Sequence, residues 1–324
     1  MSISQQAKST ALATLSETNK GDKGTWNKHS RQDKTVSDWV VDGVIALIIV
    51  VILVAIIYPL WFIVIASFSD PGAVSLGEVL LWPKGIGLTG YAKILTDTRI
   101  WIGYRNTIVY SVLGTAVNLL VTIPAAYALS RREFKPRRII MFLFTFTMFF
   151  SGGLIPNYLL MKQLGLLNSM WVFILPSAFS VYNMIIARSF FESSIPEELR
   201  DSARVDGVSY FGFFFKIVLP LSSAILAVIG LYCFVGHWND YFTGLIYIRD
   251  QDKYPLQNVL QMILLTNQTN QGSSNAGLSA SQAQNFADQI KFGIIIVSSL
   301  PLLIIYPFLQ KYFNKGVMIG AVKG

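Results

Sequence analysis

The stretch "SSIPEELRDSARVDGVSYFGFFFKIVLPLS", residues 193–222, places seven charged side chains between two long apolar runs. Ser194 and Glu197 stand at capping-box spacing, with Pro196 in what would be the first helical turn. Ile195, Leu199, Ser202 and Ala203 recur along one helical face, and Glu197, Glu198, Arg200, Asp201 and Arg204 fill the other. Gly207 then supplies a residue free to take positive φ, the usual way for a helix to stop. Ser209 can cap a second helix, "YFGFFFKIV", that runs through Leu219-Pro220 into the next apolar run. The spacing predicts a helix–turn–helix bracket with small residues beside the turn, where another surface can approach the backbone. An amphipathic loop lying on a membrane and a docking element for a protein both fit this pattern.

The surroundings of that bracket decide the class of protein. The chain has 324 residues, of which 53% are hydrophobic and only 14% charged. A soluble domain carries roughly a quarter charged residues. Six stretches free of Asp, Glu, Lys and Arg are long enough to cross a bilayer: 44–66, 106–129, 139–161, 165–187, 217–239 and 292–310. The expected fold class is therefore all-α, a polytopic membrane protein with six transmembrane helices. Residues 1–39 are polar and read as an N-terminal tail, and the first span reads as an uncleaved anchor.

Charge placement orients the spans. Segments on the side of the termini hold 18 Lys and Arg against 8 in opposite segments of equal total length, with "SRREFKPRR" (130–138) the densest cluster. Basic residues mark the cytoplasmic side, so both termini are expected in the cytoplasm and the net charge of +8 reports topology rather than nucleic-acid binding. Prolines at 59, 124, 156, 176, 301 and 307 punctuate the spans. Gly152-Gly153, together with Pro156, predicts that the third span is broken. The opposite-side segment 240–291 is rich in Asn, Gln and Ser, a solvated loop or a surface for an external partner, with some helix towards its end. The lone cysteine, Cys233, is expected to be a small buried hydrophobe.

The bracket resembles the EAA loop of bacterial ABC importer permeases: an acid and two small residues, three residues, Gly, nine residues, Ile, one residue, Leu-Pro. Here these are Asp201-Ser202-Ala203, Gly207, Ile217 and Leu219-Pro220, with Asp for Glu and Ser for Ala at the first two positions. "WND" (238–240) is similar to a sugar-permease signature, "KGVMIGAVKG" (315–324) to the glycine-rich end of MalG-type subunits, and "YPLWFIVIASFSDP" and "GGLIPNYLL" to their LplC/YtcP subgroup. An alginate-oligosaccharide importer is the nearest system suggested. The resemblance covers residues 40–324, the transmembrane domain, with the coupling loop at 193–220.

The resemblance implies a permease subunit in the bacterial inner membrane that moves oligosaccharides by alternating access. Its partners would be a MalF/LplB-like second permease, two ATP-binding subunits that use ATP and Mg, and an extracytoplasmic solute-binding protein. Glu198, Asp201, Ser202, Ala203, Asp206, Gly207, Ile217, Leu219 and Pro220 would contact or couple to the ATPase, as would Gly316, Gly320, Lys323 and Gly324 in the tail. Polar and aromatic residues inside the spans are candidates for a translocation path: Asn118, Tyr182, Asn183, His237, Trp238 and Asn239. Each of these also suits an interhelical hydrogen bond. No phosphate-loop motif occurs and the spans hold no carboxylate, so this chain is expected to bind no cofactor or metal and to be no enzyme. The competing reading is an ion- or proton-coupled secondary sugar transporter, which would place ionisable groups near the midplane.

Overall fold

The structure is a computed structural model that describes residues 36–272 and 290–307. It divides into two compact units, residues 1–59 and 60–324. The described part of the first belongs to helix α1, Val36–Phe68, whose residues 43–57 are apolar on every side, as a helix in lipid must be.

In the second unit the chain runs through α2 (Pro71–Ser75), α3 (Thr89–Thr96), α4 (Thr98–Ser130), α5 (Arg137–Phe149) and α6 (Leu154–Gln163). It continues with α7 (Trp171–Ile174), α8 (Val181–Ser194), α9 (Glu197–Val205) and α10 (Tyr210–Leu221), whose middle widens into a π-helical turn at Phe214–Val218. Then follow α11 (Ser223–Trp238), α12 (Phe242–Tyr247), α13 (Leu256–Gly272) and α14 (Ile290–Pro307). No strand occurs among the described residues.

Helix α4 is the axle of this unit. Its 33 residues reach about 50 Å at 1.5 Å per residue, and α8, α11 and α13 all pack along it. Pro124 sits inside it without ending it. Two separate cores form at its ends. One gathers Ile123, Ala126 and Leu129 of α4 with Met184, Ala187 and Phe191 of α8, and with Ala203, Phe213 and Val218 of the bracket. The other joins Ile100 to Trp238 and to Leu256, Val259 and Leu260 of α13.

Among the described residues, three helices, α1, α4 and α14, are individually long and apolar enough to cross a membrane; counting two bent pairs as one span each gives five. The first bent pair is α5 and α6, which meet at 110°. Gly153 takes φ +82 there, so the break falls at the predicted glycines. The second is α10 and α11, which meet at 79°. The expected span 217–239 is therefore not one helix: residues 217–221 belong to α10, and Pro220, lacking an N–H, lies two residues before the corner at Ser222. The expected span 165–187 also departs from a single helix, because α7 ends before Pro176 and α8 begins at Val181. Segment 240–291 differs from a solvated loop as well. Leu256, Val259, Leu260 and Ile263 form the buried face of α13 at helical spacing.

Candidate functional site: a charged elbow at one end of the bundle

The bracket is built from local chemistry. Ile195 is extended (φ −115°, ψ 93°), as a residue before proline prefers, and is 2% exposed. It separates α8 from α9, so Ser194 ends α8 rather than capping α9, and the capping-box expectation fails: Pro196 occupies the N-cap position. Helix α9 carries Glu197 and Glu198 in its first turn and Arg204 in its last, each complementing the helix dipole.

It closes in a complete Schellman motif. The Val208 N–H donates to the Ala203 carbonyl at 2.9 Å, and the Gly207 N–H to that of Arg204 at 3.1 Å. Gly207 takes φ +74, and a Cβ built there would meet nothing within 4 Å. Its requirement within this chain is conformational, not steric. Ser209 then caps α10, its hydroxyl accepting from the Gly212 N–H at 3.1 Å.

The exposed and buried sides of the elbow differ from a simple wheel. Glu198, Asp201, Ser202, Asp206 and Gly207 are exposed, together with the apolar Val205, Tyr210, Phe211 and Phe215. Ala203 is buried, Ile217 and Leu219 are half-buried, and Pro220 is exposed. Ser202 departs from the predicted inner face. Arg200 departs from the outer face: it is 9% exposed and ion-paired with Glu133, with its guanidinium 5.8 Å from the Tyr210 ring centre.

Glu133 belongs to the basic run 130–138, which therefore pairs with the bracket. Arg132 reaches Glu197 at 3.4 Å, and Glu192 accepts from Arg188 at 2.7 Å and faces Arg137 at 3.8 Å. Arg131 donates to the Phe191 carbonyl at 3.3 Å, and burial pulls its pKa below the ordinary arginine value. Pairing between 130–138 and the bracket was missed because it is non-local. The one hint was a glutamate lodged among five basic residues.

The path candidates fall into separate places. Asn118 is 2% exposed; it donates to the Ser177 carbonyl at 2.8 Å and accepts from Thr122 at 3.1 Å and from the Cys233 thiol at 3.1 Å. Asn183 donates to Cys233 at 3.4 Å. The structure thus brings Asn118 and Asn183 together through Cys233, which is buried as expected yet serves as a polar link. His237 packs against Gly114, where a Cβ would lie 2.3 Å from its Nε2. Trp238 is 1% exposed, stacks on Phe234 and donates to the Ser298 carbonyl at 3.2 Å. Tyr182 and Asn239 are exposed. The tail residues Gly316, Gly320, Lys323 and Gly324 lie outside the described residues.

Opposite the elbow, amides do the fastening. Asn106 donates to the Asp252 and Tyr254 carbonyls at 2.7 and 3.0 Å, and Thr107 accepts from the Leu256 N–H at 2.7 Å. Asn168, at φ +58, accepts from the N–H groups of Arg249 and Asp250 and donates to the Asp250 carboxylate at 2.7 Å. Lys253 and Asn168 hold the Asp250 carboxyl below the usual carboxylate range.

Known proteins share this arrangement. Residues 100–319 match the family described as the binding-protein-dependent transport system inner membrane component, and the chain belongs to it. It is accordingly a membrane transport subunit of the permease class. It is 40% identical over 268 residues to the polygalacturonan/rhamnogalacturonan transport system permease protein YtcP of Bacillus subtilis (strain 168), covering 83% of this chain and 93% of that one. It is 39% identical to protein LplC of the same organism, covering 83% and 90%. Among solved structures, a chain from a bacterial ABC transporter involved in the import of the acidic polysaccharide alginate is similar. The TM-score is 0.78 and the identity 33%, over 86% of this chain and 98% of that one.

Proposed function

We propose that the chain is a transmembrane permease subunit of an ATP-driven importer that carries oligosaccharides, uronate-containing ones such as alginate fragments among them, into the cytoplasm by alternating access. It crosses the inner membrane six times, with both termini cytoplasmic. It works beside a second permease, two ATP-binding subunits that consume ATP and Mg, and an external solute-binding protein, and binds no cofactor itself.

The elbow carries this reading. Helix α9, a Schellman stop and α10 present the acid–small–small triplet Asp201-Ser202-Ala203, Gly207 and Leu219-Pro220 in one compact bracket. Exposed Val205, Tyr210 and Phe211 add apolar surface around those charges, the composition of a protein-docking face more than of a solvated loop. The bracket's inner side shares a core with α4 and α8. A displacement of α9 by a nucleotide-dependent partner therefore moves packed helices rather than a loop, a bistable bundle biased at one end. The names of the similar proteins support an acidic oligosaccharide as cargo. Asn118, Tyr182, Asn183, His237, Trp238 and Asn239 are proposed to line or to position the path.

The test is ATP hydrolysis by the reconstituted assembly with its binding protein. Stimulation by oligouronates above neutral oligosaccharides of equal length is expected. Uptake that follows an ion gradient and ignores ATP would replace this reading with the secondary transporter.

A further inference from the structure

The loop between α4 and α5 has work to do beyond orientation. A basic run kept only to mark a membrane side needs no partner in the bundle. Instead its Glu133 pairs with Arg200 of α9, and Arg200 is almost fully enclosed beside Tyr210. Glu133 keeps 56% of its side chain exposed, but its loss would leave the enclosed Arg200 guanidinium without a carboxylate, so the pair ties α9 to the end of α4. Glu133 sits three residues past Ser130, the last residue of α4. Arg131 and Arg188 tighten the same joint: Arg131 lies 5.0 Å from the Tyr127 ring centre, and Arg188 donates to the Leu129 carbonyl at 3.1 Å.

The elbow thus enters the bundle in two ways. One is through the chain and its packing: Ile195-Pro196 joins it to α8, α10 and the 79° corner join it to α11, and its inner face shares an apolar core with α4 and α8. The other is ionic, from α9 across Arg200 and Glu133 into the end of α4. We propose that the Glu133–Arg200 pair is a second transmission arm, with Glu133 a positioning residue that makes α4 follow the coupling helix during import. This rests on the coupling role proposed above. It adds that α4, the helix on which α8, α11 and α13 all pack, is driven through a charge pair as well as through the apolar core it shares with the elbow.

The experiment uses the complete transporter in liposomes and reads oligosaccharide imported per ATP hydrolysed, with co-purification of the ATPase subunits recorded in parallel. E133Q is expected to retain the ATPase subunits yet import about tenfold less per ATP, mid-range for the coupling between directly contacting residues. R200Q should match it, E133Q/R200Q should be no worse than either single change, and the swap E133R/R200E should recover most of the ratio. An E133Q assembly with unchanged import per ATP, or additive losses in the double variant, overturns the arm while leaving the docking role of the elbow standing. Should E133Q fail to assemble, the swap decides: normal import per ATP supports the arm, and a swap that assembles without importing, or does not assemble, overturns it. Failure of the wild-type elbow to contact an ATPase subunit would sink the coupling role itself, a separate outcome.

Discussion

The two ends of α4 are fastened by different chemistry. At the elbow end the bonds are between charges: Arg200 with Glu133, Arg132 with Glu197, and Arg188 and Arg137 with Glu192. At the opposite end they run mostly from neutral side chains to backbone groups, with Asn106, Thr107, Tyr110 and Asn168 holding residues 249–256. Neutral amide–backbone bonds have narrow geometry and fix one arrangement. Exposed ion pairs are worth little individually and re-form with new partners at small cost. The contrast assigns rigidity to one end and responsiveness to the other, with the Arg200–Glu133 pair, enclosed on its arginine side, as the exception that keeps the responsive end coupled to the bundle.

The largest effect expected from breaking that contrast is at Gly207. A β-branched side chain at φ +74 costs about 1–3 kcal/mol of strain, so G207V should unwind the α9 stop and abolish co-purification of ATPase subunits. G207N, which tolerates left-handed backbone, should retain much of it, because no atom of this chain blocks a Cβ there. Equal loss in both variants would mean that a partner needs the space rather than the conformation.

Next in size is Asn106. N106L removes the donor to two carbonyls and should lower the thermal midpoint of the purified assembly, a penalty of about 1–3 kcal/mol for groups left unpaired. Import per ATP should stay unchanged, since that end holds still in this account. A fall in the ratio without a fall in stability would erase the distinction between the ends.

Similar in kind is G114A, whose methyl group collides with the His237 ring and should cost about 1–3 kcal/mol by overpacking. G114A/H237A, which makes room, should recover most of that loss in a thermal melt.

The smallest effect is at Asp250. Its pKa is depressed by Lys253 and Asn168. The stabilisation it gives is therefore present above the ordinary carboxylate pKa, and is lost as pH falls below that value and through the depressed one. D250N should make residues 247–256 more open to proteolysis at neutral pH and should flatten the acid dependence. Unchanged acid dependence in D250N would place the titration elsewhere.

Much of this was legible where the controlling interaction is local. Gly207 announced a positive-φ helix stop, Gly152-Gly153 announced the broken segment, and Ser209 announced a cap. The interhelical bonds of Asn118 and Asn183 to Cys233 are one of the two roles their place in the spans allowed. What stayed hidden depends on partners far along the chain. Nothing in the periodicity of α9 shows that Arg200 turns inward, because Glu133 lies 67 positions away. The corner at Ser222 arises where a π-helical turn meets Pro220, and uncharged composition reads straight across it. Helix α13 was obscured by its Asn and Gln residues, although Leu256, Val259, Leu260 and Ile263 already stood at helical spacing.

The most direct test of the elbow as the receiving element is a photo-crosslinking side chain at Val205, which is 88% exposed, in the assembled transporter in its native membrane. The account predicts a crosslink to an ATPase subunit whose yield changes when nucleotide is bound. Crosslinks only to lipid, or capture of a protein on the external side, would contradict it.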